Sequence, residues 1–540
     1  MTKRVLKTFA LALTILMVVG LFAACTKPTD TTPEPTTKAP GTDEPAPAET
    51  GKLTDKDITL TYFAELSANV SPTAADLSET PLYQALEERT GVKIQFLHPP
   101  QGQAVEQFNL MVVSNELPDM IEWNWLSYPG GPEKAIQDGI ILELNDIISE
   151  NAVNLSNYFQ EYPEHEKQVI TDTGKHYVFP FVRRDERLLT WNGPQIRQDW
   201  LEELNIEVPT TIDEWEAMLI AFRDQKGADS AFSYEDWLLG SSNSFLGAYG
   251  VGRAFYQEGG QVHFGPIEDG YKEFLTLFSR WFAEGLLDQD FASQDGAAFD
   301  AKVTSGRIGS FLGTAGSGMG KYLGLMKDEP SFKLVGAPYP TLVKGETPMF
   351  GHKDFNYTPG GSVAITTQSE NVELAAKWLD YAYGEEGHIL FNFGIEGESF
   401  DWVDGFPKYT EYIVNNPDGL PMVQAMARYM RSNYAGPMIQ DGRYFDQYMQ
   451  YPAQLEAVAE WLKHDDTRRI PPITPTPDES QRLASIMNEV NTYVSEFFVK
   501  FIMGQESLDT FDTYVDQINK MGIEEAIQIQ QASLDRYNAR

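Results

Sequence analysis

Alternating hydrophobic and polar positions predict the first elements of the fold. In ITLTYFAE, Ile58, Leu60 and Tyr62 alternate with polar residues, which is the period of a half-buried strand. PLYQALEERTG has helical spacing, and VKIQFLHP predicts a second strand. AVEQFNLMVVSNELPDMIEW then predicts a helix, a turn and a third strand. Because strand and helix patterns alternate, the sequence predicts a largely parallel α/β sheet.

Two longer helices have start signals. Thr211 stands three residues before Glu214, and Thr476 three before Glu479, which is the spacing of a capping box. The predicted buried face of the first helix is Ile212, Trp215, Leu219 and Phe222. That of the second is Leu483, Ile486, Val490, Tyr493, Phe497 and Phe501, with Gly504 near the helix end. We interpret both faces as core packing.

Residues 1–24 have the layout of a removable signal peptide. Lys3, Arg4 and Lys7 precede an apolar or small run from Thr8 to Ala24 that holds no charge. The run is near the lower length limit for spanning a bilayer, and no basic segment follows it. These two features argue against a permanent helical anchor, which is the alternative interpretation.

Cys25 is the only cysteine and directly follows this run. Ala23 and Ala24 before it resemble the lipobox of bacterial lipoproteins, although Phe22 stands where leucine is usual. We predict that Cys25 carries lipid; the alternative is an incidental cysteine in an ordinary signal peptide. Residues 25–56 are rich in Pro, Thr and acids, which predicts a disordered tether.

Composition narrows the class of protein. A chain of 540 residues with 42% hydrophobic content can bury more than one core. The formal charge of -38 argues against a nucleic-acid partner, whose phosphates would be repelled. Seven histidines and one cysteine make a metal receptor a poor fit.

The order of motifs resembles the family 1 extracellular solute-binding proteins over about residues 57–540. NELPDMIEWNW and GIILELNDII are similar to that family's "PD" turn and Gly–hydrophobic–Leu segment. GKHYVFPF, LLTWNGPQIRQDWLEELNIEVPTTIDEWEAM, GRIGSFLG, VGAPYP and SVAITTQSENVELAAKWLDYAYGEEGHILFNFGIEGESF follow in the family's order. The long, LipO-like lipoprotein branch is the most similar.

The resemblance implies a two-lobed, periplasmic-binding-protein-like (type II) α/β fold, each lobe a doubly wound sheet flanked by helices and joined by a hinge. Residues 57–181 plus 337–400 would form lobe one, and 182–336 plus 401–540 lobe two. It further implies a monomer, lipid-anchored on the outer face of a bacterial cell membrane, with an ABC permease as partner, no enzymatic activity and no cofactor.

The expected ligand is a mono- or oligosaccharide, since sugar rings need aromatic platforms and polar partners for their hydroxyls. By the family pattern, Trp123 is the first candidate platform, with a core tryptophan as the alternative. Arg183, Arg184 and Asp185 would either reach ligand or form hinge ion pairs. The remaining candidates, each of which packing would explain equally well, are Glu65, Asn124, Trp125, Trp191, Trp237, Thr314, Asp354, Asn356, Tyr357 and Trp402.

Other chemistries fit less well. GTAGSGMGKY lacks the Walker A pattern, because Ala315 replaces its first glycine and Tyr322 its Ser/Thr. Many relatives carry a calcium loop after the helix that begins near Thr211, but here only Asp224 and Asp229 are available, so we expect no metal. A secreted polysaccharide hydrolase or lyase and a peptide receptor remain the alternatives.

Overall fold

A computed structural model describes residues 52–540. Cys25 and most of the predicted tether lie outside the described residues. Close to the start of the described part, the backbone N–H of Leu53 donates to the carbonyl of Thr90 at 2.9 Å. Leu53 also packs against the first hydrophobic core, so residues just before the first strand already contact the folded body.

Fourteen strands lie in the described part of the chain, and most belong to two sheets. They are β1 (Thr59–Phe63), β2 (Lys93–Leu97), β3 (Met120–Glu122), β4 (Phe179–Arg183), β5 (Asn192–Arg197), β6 (Ser230–Ser233), β7 (Phe255–Glu258), β8 (Gln261–Phe264), β9 (Ile308–Thr314), β10 (Leu334–Gly336), β11 (Tyr357–Ile365), β12 (Phe400–Val403), β13 (Phe406–Tyr409) and β14 (Ile439–Gln440). The predicted first three strands are confirmed as β1, β2 and β3.

The six-stranded sheet has the order β14-β4-β11-β3-β1-β2. β1 runs parallel to β2 and β3, with Tyr62 opposite Phe96 and Met120. β11 is antiparallel to both β3 and β4, and its pairing with β4 shifts register between Thr358 and Val363. β1, β3 and β4 therefore end at the same edge.

The four-stranded sheet has the order β10-β5-β9-β6. β6 runs parallel to β9, while β5 is antiparallel to β9 with Asn192 opposite Thr314. The end of β9 and the start of β5 consequently share one edge. β7–β8 and β12–β13 form separate two-stranded sheets.

Helices flank the sheets: α1 (Pro81–Thr90), α2 (Ala104–Ser114), α3 (Gly131–Gln137), α4 (Asn145–Asn151), α5 (Val153–Glu161), α6 (Pro163–Lys167), α7 (Gln198–Leu204), α8 (Ile212–Lys226), α9 (Asp236–Ser242), α10 (Asp269–Ala283), α11 (Gly296–Thr304), α12 (Lys321–Leu325), α13 (Val372–Asp380), α14 (Glu385–Phe393), α15 (Glu411–Val414), α16 (Met422–Tyr429), α17 (Gly442–Tyr448), α18 (Pro452–Trp461), α19 (Pro477–Ile502), α20 (Phe511–Lys520) and α21 (Ile523–Ala539). Short 3-10 turns and one π-helix complete the connections.

One hydrophobic core belongs to the six-stranded sheet, and two others cover the four-stranded sheet. The first surrounds the six-stranded sheet and includes Tyr62, Trp125 and Phe179. The second joins residues 196–337 of the four-stranded sheet region to α19, α20 and α21. β14 returns to the six-stranded sheet after residue 400, so the C-terminal part of the chain contributes to both regions.

Both predicted caps initiate helices, with one difference in detail. Thr476 and Glu479 make the reciprocal capping box at the start of α19. At α8, Thr211 Oγ1 accepts from the Glu214 N–H at 3.3 Å, but the Glu214 carboxylate accepts from the N–H of Thr210 instead. The buried face of α8 is as predicted.

The buried face of α19 is wider than the predicted stripe. Its fully buried positions include Val494 and Phe498 in addition to Ile486, Val490 and Phe501. Tyr493 and Phe497 are only partly buried, and the ring of Tyr493 stacks on that of Tyr514 at 5.5 Å. α20, which carries Tyr514, therefore covers a second stripe that a single-face prediction misses.

The glycine-rich segment after β9 serves close packing. It forms a π-helix, Ala315–Gly320, that leads into α12. A Cβ on Gly320 would lie 2.4 Å from Nε2 of Gln454, and that amide donates to the carbonyl of Ala315 at 2.7 Å. The small residues thus allow α18 to approach the end of β9.

Candidate ligand-binding cleft

Three cavities lie where strands of the two sheets end. The Trp123 pocket, about 240 Å³, is lined by Phe63, Glu65, Glu122, Trp123, Asn124, Gly360 and Gly361. The Trp237 pocket, about 270 Å³, includes Glu235, Trp237, Asp300, Thr314, Ser317 and Lys321. The crossing cavity, about 400 Å³, includes Tyr256, Lys353, Asp354, Asp465, Arg468 and Arg469. In open α/β sheets, ligands bind outside the carboxyl ends of strands, so these positions favour a binding site.

The crossing cavity is built on the segment that leads from β10 back to β11. Within it, Asp354 Oδ2 accepts from Arg183 Nη1 and from Trp191 Nε1, each at 2.8 Å. Arg183 ends β4 of one sheet, and Trp191 precedes β5 of the other. One carboxylate oxygen therefore joins the strand ends of both sheets.

Asn356 holds the same segment through its backbone and side chain. The N–H of Arg183 donates to the carbonyl of Asn356, and Asn356 Nδ2 donates to the carbonyl of Arg183, both at 2.8 Å. The structure thus brings Arg183, Trp191, Asp354 and Asn356, all predicted from sequence, into one cluster.

Two indole rings form a platform between the crossing cavity and the Trp237 pocket. The ring centroids of Trp191 and Trp237 are 5.9 Å apart at 31°. Trp237 is 53% exposed, whereas Trp191 is half-buried and packs on His352 at 4.0 Å. Burial lowers the pKa of His352 to about 4, so a neutral imidazole supports Trp191 near pH 7. The arrangement offers an exposed aromatic face on a rigid support.

The Trp123 pocket combines an aromatic ring with carboxylates. The half-buried Trp123 stacks on Phe108, with centroids 4.2 Å apart and rings 5° from parallel. The Glu122 carboxylate accepts from the Tyr62 hydroxyl and from Arg431 Nη2, both at 2.7 Å. Burial, with the Glu122 charge, raises the pKa of Tyr62 well above its ordinary value, so Tyr62 remains a donor.

Bare backbone forms another wall of the Trp123 pocket. Gly360 and Gly361 lie where β11 shifts register against β4. Gly361 has φ of +85°, and a Cβ there would lie 2.7 Å from that of Ala435. Nothing lies within 4 Å of a Cβ built on Gly360, so its backbone is open to a ligand.

Several predicted site residues have other surroundings. Trp125 is 0% exposed in the first core, and Tyr357 is buried with its hydroxyl 3.1 Å from that of Tyr177, although Tyr357 also lines the crossing cavity. The placement of Trp125 is that of a packing residue, whereas Tyr357 both packs in the core and lines a cavity. Asn124 caps the 3-10 turn Trp125–Ser127 through its Oδ1.

The neighbours of Arg183 have local partners as well. Arg184 is exposed and donates to the Tyr162 hydroxyl at 3.3 Å. Asp185 pairs with Arg187, two positions further along the chain, at 2.7 Å. Thr314 Oγ1 lies 2.8 Å from Ser317 Oγ in the wall of the Trp237 pocket.

Glu65 and Trp402 differ in position. Glu65 is exposed at the end of β1 and lines the Trp123 pocket. Trp402 is 43% exposed on the hairpin β12–β13 and is absent from the walls of the three cavities.

Sequence reasoning missed the basic residues of the crossing cavity. Arg468 and Arg469 lie in HDDTRRIPP, whose charge run before two prolines was the one local signal. Arg431 donates to the Glu122 carboxylate, which lies 309 residues earlier in the chain. No local sequence pattern around Arg431 indicates this contact.

The two acids considered for calcium have arginine partners. Asp224 Oδ1 accepts from Arg223 Nε at 2.7 Å, and Asp229 pairs with Arg307. Residues 52–540 contain no group of three or more His, Cys, Asp or Glu side chains placed to hold a metal ion. In the same range, no helix combines the length and the apolar character needed to cross a membrane.

Two α/β sheets with cavities at their strand ends define the class of two-lobed, periplasmic-binding-protein-like proteins. The chain belongs to the bacterial extracellular solute-binding protein family, which matches residues 71–389. The predicted family and fold class are thereby confirmed.

Individual relatives are distant but cover most of the chain. The fructooligosaccharide ABC transporter substrate-binding protein FusA of Streptococcus pneumoniae is 25% identical over 88% of this chain and 90% of its own. Lipoprotein LipO of Bacillus subtilis is 24% identical over 69% and 73%. The crystal structure of the alginate-binding protein AlgQ2 without calcium ion superposes with a TM-score of 0.73 at 24% identity, over 90% and 99%. This structural likeness concerns the fold alone.

Proposed function

We propose that this protein captures an oligosaccharide at the cleft formed by the three cavities and delivers it to an ABC importer. The observation that carries the proposal is the platform of Trp191 and Trp237 beside the Asp354–Arg183 pair. Aromatic faces suit the C–H faces of sugar rings, and fixed carboxylate and guanidinium groups suit their hydroxyls. FusA and AlgQ2 are named for fructooligosaccharide and alginate, which belong to the same class of ligand.

The cellular setting is part of the proposal. A lipidated Cys25 would hold the protein on the outer face of the membrane, and the segment between Cys25 and Leu53 would act as the tether, since Leu53 packs on the folded body. We expect a monomer that works with permease subunits. The sequence-based lobe boundaries, 57–181 plus 337–400 and 182–336 plus 401–540, remain predictions.

Closure would couple binding to delivery. A ligand that touches the Trp123 pocket and the Trp237 pocket at once favours the conformation in which the two lie close together. Small-angle scattering should then show a smaller radius of gyration with ligand than without it.

A binding screen tests the proposal. The full chain is assayed by thermal shift and calorimetry against neutral and acidic oligosaccharides and against a peptide mixture. Saturation with ligand at 100 times its Kd should add about 2.7 kcal/mol to the free energy of unfolding. Binding of peptides with no response to any sugar would contradict the proposal.

The alternative function, a polysaccharide hydrolase or lyase, is tested by measuring whether the bound sugar is shortened. The bound sugar is recovered after long incubation and its chain length is compared with the input by chromatography. A receptor returns the sugar unchanged, whereas a hydrolase or lyase returns shorter products.

A further inference from the structure

The charges around the three cavities point to the kind of sugar. Their walls hold four basic side chains, Lys321, Lys353, Arg468 and Arg469. They hold six acidic ones, Glu65, Glu122, Glu235, Asp300, Asp354 and Asp465. The cleft is therefore net negative at neutral pH.

Each of the four basic side chains already has an acidic partner. Lys353 Nζ lies 2.7 Å from Asp466 Oδ2, and Arg469 Nη2 lies 3.2 Å from the same atom. Arg468 pairs with Glu258, and Lys321 with Asp300. The arginines beside the cavities are paired as well, Arg183 with Asp354 and Arg431 with Glu122.

The acidic side chains are less completely paired. Within residues 52–540, no lysine or arginine forms an ion pair with Glu65, Glu235 or Asp465. Glu65 and Asp465 are exposed, and Glu235 is half-buried. Each of the three cavities has one of these carboxylates in its wall.

We propose that the ligand is an uncharged oligosaccharide and that uronate-containing oligosaccharides are discriminated against. The inference rests on the proposed function. A uronate carboxylate would have to break an existing pair to gain a cation, and it would be repelled by the carboxylates in the wall. A neutral sugar instead donates its hydroxyls to those carboxylates, which gives charge-assisted hydrogen bonds. FusA is named for fructooligosaccharides, which are neutral, and AlgQ2 for alginate, which is acidic. The relatives therefore do not distinguish the two classes of sugar, and the inference rests on the charges of this chain.

A competition experiment tests the inference. The full chain is incubated with an equimolar mixture of β-1,4-linked mannooligosaccharides, mannuronate oligosaccharides of the same length, fructooligosaccharides and oligogalacturonides. Captured sugars are identified by mass spectrometry, and calorimetry gives their Kd. The first two differ only in a hydroxymethyl group against a carboxylate. We expect neutral sugars in the bound fraction and uronates at least about tenfold weaker.

The outcomes separate the inference from the proposed function. Preferential or equal capture of uronates overturns the inference while the sugar receptor stands. Capture of neither class counts against the sugar receptor itself, and the inference fails with it.

Two double variants test whether the carboxylates in the cavity walls cause the discrimination against uronates. Glu65→Gln with Glu235→Gln removes two carboxylates from the cavity walls. Glu150→Gln with Asp328→Asn removes two exposed carboxylates outside the three cavities, so the net charge changes equally. The first variant should narrow the ratio of neutral to uronate affinity severalfold, and the second should leave it unchanged. Equal narrowing in both would assign the effect to net charge and overturn the role of the cleft.

Discussion

Replacing Trp237 by alanine tests whether its exposed ring is a ligand platform. The side chain belongs to α9, is 53% exposed, and lines the Trp237 pocket. Because more than half of it faces solvent, its removal leaves no closed cavity in the core. We expect the free energy of unfolding to change by no more than about 1 kcal/mol.

The expected loss of affinity follows from the exposed area. A tryptophan of about 250 Å² that is 53% exposed presents about 130 Å² to solvent. If a sugar ring covers half of this area, the apolar contribution at about 25 cal/mol per Å² is about 1.6 kcal/mol. The Kd should therefore rise about 15-fold in Trp237→Ala.

Trp402→Ala provides the matched control. Trp402 is 43% exposed but lies on the hairpin β12–β13, where its ring meets Phe400 edge-on at 5.6 Å. Both variants are compared with the parent by calorimetry against the same sugar and by thermal melting. An unchanged Kd in Trp237→Ala, or an equal loss in Trp402→Ala, would refute the reasoning.

Three further predictions concern the anchor, the metal requirement and pH. Cys25→Ser should release the protein from the membrane fraction into the medium, and continued membrane association after signal cleavage would contradict lipidation. Chelator should leave the melting temperature unchanged, whereas a fall that calcium restores would show that the protein binds calcium. Because burial lowers the pKa of His352 to about 4, its neutral form contributes stability above about pH 6.5 that is lost as the pH falls towards 4, by up to about 3 kcal/mol. His352→Gln should have a shallower dependence of unfolding free energy on pH in this range than the parent, and parallel curves would argue against this role.

The sequence was sufficient for elements whose signals are local. Strand alternation and helical spacing identified β1, β2, β3 and α1, and the Thr–Glu pairs located the starts of α8 and α19. Such signals work because backbone period and capping depend on neighbours within about one turn.

The neighbouring residues Trp123 and Trp125 show where local reasoning ends. An extended strand would place both rings on one side, since they are two positions apart. The 3-10 turn Trp125–Ser127 begins directly after Asn124 and directs Trp125 into the core, while Trp123 lines the pocket. A turn of three residues leaves too little pattern for the sequence to separate these two outcomes.

Pairs distant in the chain were beyond sequence reasoning for a different reason. Glu122 depends on Arg431, and Lys353 on Asp466, and neither pair shares a local period. Among 79 acidic residues, nothing in the sequence marks which carboxylate neutralises which cation. Only the fold determines these pairs, and within the described residues it leaves Glu65, Glu235 and Asp465 in the cavity walls without a lysine or arginine partner.

The Asp354 carboxylate shows how the fold turns these pairs into a functional arrangement. Its Oδ2 accepts from Arg183 at the end of β4 and from Trp191 directly before β5, so the strand ends of the two sheets share an acceptor. Trp191 in turn packs against Trp237, whose exposed face lines the adjoining pocket. A shift of either sheet edge therefore changes the hydrogen bonds of Asp354 Oδ2. Because Trp191 is one of the donors, such a shift also changes the position of the Trp191–Trp237 platform. This connection is what a receptor needs if sugar on the platform is to bias the arrangement of its two sheets.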